Sequence, residues 1–200
     1  MIDARRSAPA TQRNREPILE VLTRVLPAAG VVLELGSGTG EHAVFFAANL
    51  PGLVWQPSDP SAEARASVEA WRAHAGVANV RPALELDARA DAWPGVVADA
   101  VVAINVIHIS PWETCEGLLR GAGRVLGPGG VLYLYGPYRR GGRHTAPSNE
   151  AFDLDLRARD PSWGVRDLEA VVELAERRGL SLAEVVEMPA NNLSVVLRRG

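Results

Sequence analysis

The residues with most chemical meaning stand together near the amino end, in Glu34-Leu35-Gly36-Ser37-Gly38-Thr39-Gly40. Three alternating glycines let the backbone turn tightly. The carboxylate in front of them, Glu34, bears on which ligand suits the turn: it would repel a pyrophosphate and welcome a cation. The spacing agrees. The dinucleotide fingerprint G-x-G-x-x-G needs a glycine three places after Gly38, where Glu41 stands. The mononucleotide phosphate loop needs a lysine, and the chain has none.

The apolar run Val31 to Leu35 before the turn reads as a buried parallel strand, and Glu41 to Leu50 after it has helix-compatible apolar spacing. Strand, glycine turn and helix opening therefore fall where doubly wound sheets hold nucleotides. S-adenosylmethionine fits these demands, because it carries adenosine, sulfonium and ammonium groups and no phosphate. The Glu34 to Gly40 pattern resembles the first motif of class I methyltransferases. That resemblance implies that Gly36, Ser37, Gly38 and Gly40 lie, with Glu34, against the amino-acid part of the cofactor.

Further candidates follow along the same expected sheet edge. Asp59 comes about twenty residues after the glycine turn, at the end of a second short strand from Leu53 to Gln56, where a carboxylate can accept hydrogen bonds from both ribose hydroxyls. Its alternative duty is to cap the next helix, with Pro60 in the first position. Val80 to Leu86 reads as a third strand ending in Asp87-Ala88; the methyltransferase resemblance implies that Asp87 accepts from the exocyclic amine of adenine, with Ala88 beside it. Ala98 to Asn105 is almost continuously apolar and reads as a central fourth strand. Beyond it, Asn105 and His108 are the best catalytic candidates. Methyl transfer is an in-line displacement that needs proximity and orientation, and a base only where the nucleophile must lose a proton. His108 could be that base near neutral pH, or a histidine merely bonded into its loop.

The elements that must position these groups can be read in outline. Glu16 to Leu26 carries Ile18, Leu19, Leu22, Val25 and Leu26 at helical spacing, a capping helix preceded by a polar entrance with Pro17 in its first turn. Arg13 and Asn14 in that entrance can reach over the cofactor pocket. Ser61 to Ala75 is a further amphipathic helix. Ser110 and Glu113 form a possible capping box with Pro111 between them, starting a helix that runs to Leu126. That helix stops at Gly127-Pro128-Gly129-Gly130 before a fifth strand, Val131 to Tyr135. Gly136 to Ser148 reads as a long glycine-rich loop, a candidate substrate lid whose Arg139, Arg140 and Arg143 suit a substrate carboxylate or phosphate or else plain solvation.

Residues 136–165 as a whole form a substrate-side insert, in which Tyr138, Asn149, Phe152, Asp153 and Trp163, together with His108, are the candidate substrate contacts. Asp167 to Arg178 is a helix, and Leu182 to Met188 and Leu193 to Leu197 are two strands joined too closely for anything but an antiparallel hairpin. The expectation is an α/β, Rossmann-like fold over residues 1–200, with residues 1–27 as an amino-terminal segment and capping helix. Its seven-stranded sheet is mostly parallel, with one antiparallel strand and helices on both faces.

Composition bounds the function. The 200 residues carry 47% hydrophobic side chains and a formal charge of −3, so one core is expected and no broad basic footprint for nucleic acid exists. No Asp/Asn-Pro-Pro-aromatic tetrad follows strand four, where the chain reads Asn105-Val106-Ile107-His108. The single cysteine, Cys115, lies among apolar helix residues and reads as an inert core thiol. The four histidines are scattered, so no metal is expected. No apolar stretch reaches the roughly 20 residues of a membrane span, and a cytoplasmic protein, monomeric or homodimeric, is expected.

Taken together, Gln12 to Leu19, the Glu34 to Gly40 loop, Trp55 to Asp59, Ser148-Asn149 to Asp153, Asp160 to Asp167 and Met188 to Leu193 resemble the class I methyltransferase family that includes the methyltransferase-like 26 proteins. The resemblance spans nearly the whole chain. It implies S-adenosylmethionine as cofactor, S-adenosylhomocysteine as product, and an enzyme acting on a small-molecule acceptor. A non-catalytic binding or scaffold protein and a protein methyltransferase are the competing readings.

Overall fold

The computed structural model describes residues 4–93, 95 and 97–200, so the first three residues of the amino-terminal segment, and Pro94 of the connection after Asp91, lie outside the described residues. In chain order the elements are α1 (Pro9–Val25), β1 (Gly30–Leu35), α2 (Glu41–Asn49), β2 (Leu53–Ser58), α3 (Ala62–Ala75), β3 (Ala98–Ile104), α4 (Trp112–Val125) and β4 (Leu126–Arg140). There follow β5 (Arg143–His144), α5 (Pro147–Arg159), β6 (Arg166–Asp167), α6 (Leu168–Glu176), β7 (Leu180–Met188), a short 3-10 turn (Pro189–Asn191) and β8 (Asn192–Arg199).

The main path of the sheet runs β2-β1-β3-β4-β8-β7. The first four strands are mutually parallel, and β8 runs antiparallel to both of its neighbours. The sheet is thus mixed and mostly parallel with one reversed strand on this path, and the short β5 and β6 pair with β4 to bring the total to eight.

Side chains alternate across each strand, which sorts the apolar residues onto two faces. Leu33, Leu35, Val101, Ala103, Leu132 and Leu134 pack with the buried stripes of α4 and α6. Val32, Ala100, Val102, Val131 and Tyr133 face α1 and α2, where Ile18, Leu22 and Phe46 are fully enclosed. Burying each such large side chain contributes about 1.5–3 kcal/mol. Among the described residues no helix is long and apolar enough to cross a membrane.

Several local expectations change. Val80 to Leu86 is not a strand: it touches β2 through two isolated parallel bridges, Trp55 to Val80 and Ser58 to Leu84. Pro82 between them has no N–H to give a ladder. The sheet edge here is completed by a side chain instead, Gln56 Nε2 donating to the Pro82 carbonyl at 2.7 Å. The first helix begins at Pro9, seven residues earlier than its apolar stripe suggests, and Pro17 lies inside it. The polar stretch Arg13-Asn14 is therefore helical surface rather than an entrance.

The predicted lid loop is mostly strand. β4 continues to Arg140 because its outer end is paired by residues remote in sequence: Pro137 opposite Asn192, Tyr138 opposite Arg166 and Arg139 opposite Asp167. Only Gly141-Gly142, both with positive φ, make the turn into β5. The capping box does not form either. Ser110 Oγ donates back to the Val106 carbonyl at 2.6 Å, and the N-cap is Pro111.

One side chain holds the edge turn between α2 and β2. Asn79 Nδ2 donates to the carbonyls of Ala47 (2.9 Å) and Leu53 (2.8 Å), with Leu50 at 3.4 Å. An Asn79→Ala variant leaves these carbonyls without that donor and is expected to lose about 1–3 kcal/mol, seen in urea unfolding as a lower midpoint at unchanged slope.

Candidate functional site

At the carboxyl end of β1 the chain leaves the sheet through Gly36, Gly38 and Gly40, with φ of +62°, +56° and +87°. A Cβ at Gly36 would stand 2.7 Å from Val106 Cγ2, and one at Gly40 2.7 Å from the Val68 backbone, so both close approach and handedness require glycine there. The turn is tied to the end of β2. Ser37 N–H donates to the Ser58 carbonyl (2.9 Å), Ser58 N–H donates to Ser37 Oγ (3.1 Å), and Ser58 Oγ donates to the Glu34 carbonyl (2.7 Å).

Asp59 completes this tie. Its Oδ2 accepts from Gly38 N–H at 3.0 Å and its Oδ1 from Ser61 N–H at 2.9 Å. Each oxygen thus holds one backbone donor and keeps capacity for another. Asp59 is not the helix cap: α3 begins at Ala62, its N-cap is Ser61, which accepts from Ala64 N–H, and Pro60 precedes the helix.

Glu34 lies beneath the turn. Its Oε2 accepts from Ser37 Oγ (2.9 Å) and Trp55 Nε1 (3.2 Å), and the side chain is not among the residues lining the adjoining cavities. Complete burial pushes its carboxyl up to about 7; the hydrogen bonds from Ser37 and Trp55 oppose the rise and the charge of Asp59 adds to it. Its position on the α1/α2 side of β1 follows from strand alternation, which puts Leu33 and Leu35 on the opposite face.

A cavity of about 420 Å³ opens beside the turn, floored by Gly36 and Asp59 and walled by Leu86, Ile104, Val106 and Ile109. Asp87, Ala88 and Trp163 also line it. Asp87 is half-exposed and clasped by Arg89, whose Nη2 and Nε donate to Oδ2 at 2.7 and 3.1 Å; those bonds hold its carboxyl below the usual range. A second cavity of about 500 Å³ is lined by Arg13, Asn14, Tyr135, Asn149, Phe152 and Asn192. Asn105 lines both. It has a left-handed φ of +61°, fixed by its N–H donating to the Tyr135 carbonyl at 2.7 Å while its own carbonyl accepts from His108 and Ile109.

Besides Glu34, Ser37, Gly38 and Gly40, which line neither cavity, three more sequence candidates stand elsewhere. His108 is fully buried behind the walls: its Nδ1 accepts from Arg166 N–H at 3.3 Å, and its ring meets Tyr138 edge to face at 4.8 Å. Burial, reinforced by the Arg166 charge, drives its pKa down to about 3, so it is a neutral core histidine and lines neither cavity. Tyr138 is likewise in the core, because β4 continues as strand and turns that side chain inward. Asp153 is occupied structurally, accepting from Val165 N–H at 2.7 Å and pairing with Arg157 Nε at 3.1 Å and His144 Nε2 at 3.5 Å. Arg139, Arg140 and Arg143 do not line either cavity, and Arg140 pairs with Glu187.

Other wall residues were not among the site candidates read from the sequence. Tyr135, Pro137, Pro189, Ala190 and Asn192 reach the second cavity because the 3-10 turn between β7 and β8 folds over the end of β4. Ser110, Pro111 and Thr114 enter the first from the segment that opens α4. That segment is held by Arg166, which donates to the carbonyls of Ile107 (2.8 Å), Ser110 (2.6 Å) and Ser162 (3.0 Å). Among the described residues, no group of three or more His, Cys, Asp and Glu side chains could hold a metal ion.

With this geometry in place, the family can be stated. The chain belongs to the family described as protein of unknown function DUF938, which matches residues 5–199. Its fold is that of Rossmann-like methyltransferases. An O-methyltransferase family protein from Burkholderia thailandensis matches with a TM-score of 0.80 and 19% identity over 96% of this chain. CalO1, a methyltransferase in calicheamicin biosynthesis whose structure is the SAH-bound form, matches at 0.75 with 21% identity over 96%. Human N-acetylserotonin methyltransferase, in complex with SAM, matches at 0.76 with 18% identity over 96%. This chain spans 57%, 55% and 53% of those three chains, little more than half of each.

The raised Glu34 pKa has a consequence for stability. Its folded value of about 7 exceeds the ordinary carboxyl value of 4.5, so the native state holds a proton that the unfolded state has released between these pH values. The contribution is therefore full below about pH 4.5 and lost as pH rises through 7, a fall of about 3 kcal/mol at most. Buried His42 and His108, neutral in the folded protein, add stability with rising pH in wild type and variant alike, so the readout is a difference: the unfolding free energy of wild type minus that of Glu34→Gln should fall between pH 4.5 and 8.

Proposed function

We propose that residues 1–200 act as one S-adenosylmethionine-dependent methyltransferase domain, of the group that includes the methyltransferase-like 26 proteins, on a small-molecule acceptor. The observation that carries this is Asp59: a carboxylate fixed by two backbone N–H donors, with one acceptor site left on each oxygen, at the floor of a cavity. A vicinal diol is the partner that such a pair of acceptors suits, and the cavity volume lies within the roughly 300–1,000 Å³ of small-molecule sites.

The remaining walls fit an adenosine. Leu86, Ile104, Val106 and Ile109 give an apolar slot for a base, and Asp87 and Ala88 stand at its edge. Gly36 and Gly38 keep the turn free of side chains where the amino-acid part would pass, and Glu34 supports the turn from below through Ser37. Bound S-adenosylmethionine would supply an electrophilic methyl on a sulfonium. Asn105 stands between the two cavities, so the second cavity is the place for the methyl acceptor, with Arg13, Asn14, Asn149 and Phe152 around it.

The neighbouring folds support the reading, since the three named above are described as methyltransferases, two of them holding SAM or SAH. Calorimetry with S-adenosylmethionine and S-adenosylhomocysteine tests it. Asp59→Ala removes two charge-assisted hydrogen bonds and should weaken both ligands about 10- to 100-fold. Equal affinity in wild type and variant would take the ribose away from Asp59, and failure of the wild type to bind either ligand would end the proposal.

A further inference from the structure

The second cavity is furnished with donors in a specific way. His42 Nε2 and Asn14 Oδ1 are 2.8 Å apart, and Asn14 is the polar side chain that acts on the Tyr135 hydroxyl, lowering its pKa against the rise that burial gives. His42 is almost wholly buried and neutral, its pKa brought down to about 4 by burial and the Arg15 charge, so its Nε2–H is the donor to Asn14 Oδ1. Asn14 then has only its amide N–H groups for Tyr135, and the phenol oxygen accepts. The proton of Tyr135 is left to point elsewhere, and no described residue accepts it.

Tyr135 lines the second cavity, as does Arg13, and Arg13 takes part in no ion pair among the described residues. Asn149 and Asn192 line the same space with their Nδ2 groups already committed. Asn149 donates to Thr145 Oγ1 and the Asn191 carbonyl, and Asn192 to the carbonyls of Pro189 and Ala190. Among the described lining residues there is no carboxylate, imidazole or thiol, so none can take a proton from an acceptor at neutral pH.

We infer that this cavity takes a methyl acceptor whose nucleophile is already ionised, a thiolate, acidic phenolate or carboxylate, and that the Tyr135 hydroxyl and the Arg13 guanidinium bind that anion. The inference rests on the cofactor reading above. The reaction then balances without a base: a lone pair of the anion forms the bond to the methyl carbon, the carbon–sulfur bond breaks, and its electron pair goes to sulfur. Anion and sulfonium become two uncharged groups and no proton moves. Burial keeps the Tyr135 phenol protonated, its pKa raised above the ordinary value, so it serves as donor throughout.

The test is binding to the protein saturated with S-adenosylhomocysteine, read at pH 8 by calorimetry or ligand-observed NMR. The probes are 4-nitrothiophenolate, 4-nitrophenolate and benzoate against the uncharged 4-nitrotoluene and benzamide. The expected result is that at least one anion binds about tenfold or more tightly than its uncharged counterpart. Tyr135→Phe and Arg13→Met should each weaken it about three- to tenfold, with the affinity for S-adenosylhomocysteine unchanged. Arg13 is exposed on α1, so its variant remains informative should Tyr135→Phe unfold. Equal binding of charged and uncharged probes, no binding of any anion, or variants that weaken S-adenosylhomocysteine instead would each overturn the assignment. If S-adenosylhomocysteine itself does not bind, the cofactor reading fails, and the same titration of the unliganded protein still decides whether Tyr135 and Arg13 hold an anion.

Discussion

The hydrogen bonds that join the glycine turn to the end of β2 are the constraint on which the rest of the site depends. A run of left-handed glycines has no shape of its own, because the same freedom that admits positive φ admits many other conformations. Here the shape is imposed from outside. Ser37 exchanges bonds with Ser58, and Asp59 reaches back to Gly38 while its other oxygen holds Ser61. The turn, the end of β2 and the start of α3 are thereby one rigid piece, and the carboxylate that fixes them is itself fixed.

Electrostatics below and beside that piece are divided by burial. Glu34 is enclosed and its pKa rises, so it supports the turn at the cost of easy ionisation; Asp59 lines the cavity while its oxygens hold Gly38 and Ser61. On the far side, the segment from Asn105 to Trp112 has little regular structure and is held by the Arg166 guanidinium on two of its carbonyls, Ile107 and Ser110, while the same guanidinium also reaches the Ser162 carbonyl. This packing leaves His108 Nε2 and Tyr138 Oη buried without partners, a loss that the surrounding contacts of β4 and β6 offset.

Much of the architecture was legible in the sequence, and the failures have physical causes. Alternating strand and helix patterns gave most of the sheet, its reversed strand and the helices α2, α3, α4 and α6. Pro82 removed a donor from what otherwise reads as an edge strand. The stretch from Gly136 to Arg140 looks like loop from its glycine, proline and arginine content, yet pairing with Asn192, Arg166 and Asp167 makes it strand. Local composition cannot report a partner that lies dozens of residues away.

The site divides along the same line. Spacing within a few residues brought Gly36, Gly38, Asp59 and Asn105 to one edge, because a parallel strand delivers whatever follows it to its carboxyl end, whereas Asp87 and Ala88 arrive there after a segment that only bridges β2. Which way a side chain faces there is a different matter. His108 turns into the core, Tyr138 follows it, Asp153 is claimed by backbone and arginine, and Tyr135 neighbours Asn14 of α1, which His42 of α2 holds in turn. The sequence alone determined the order of elements and the edge at which their ends collect, since these follow from local periodicity and turn chemistry. Tertiary packing alone decided which of those ends face open space, because burial and long-range pairing are settled only when the elements meet.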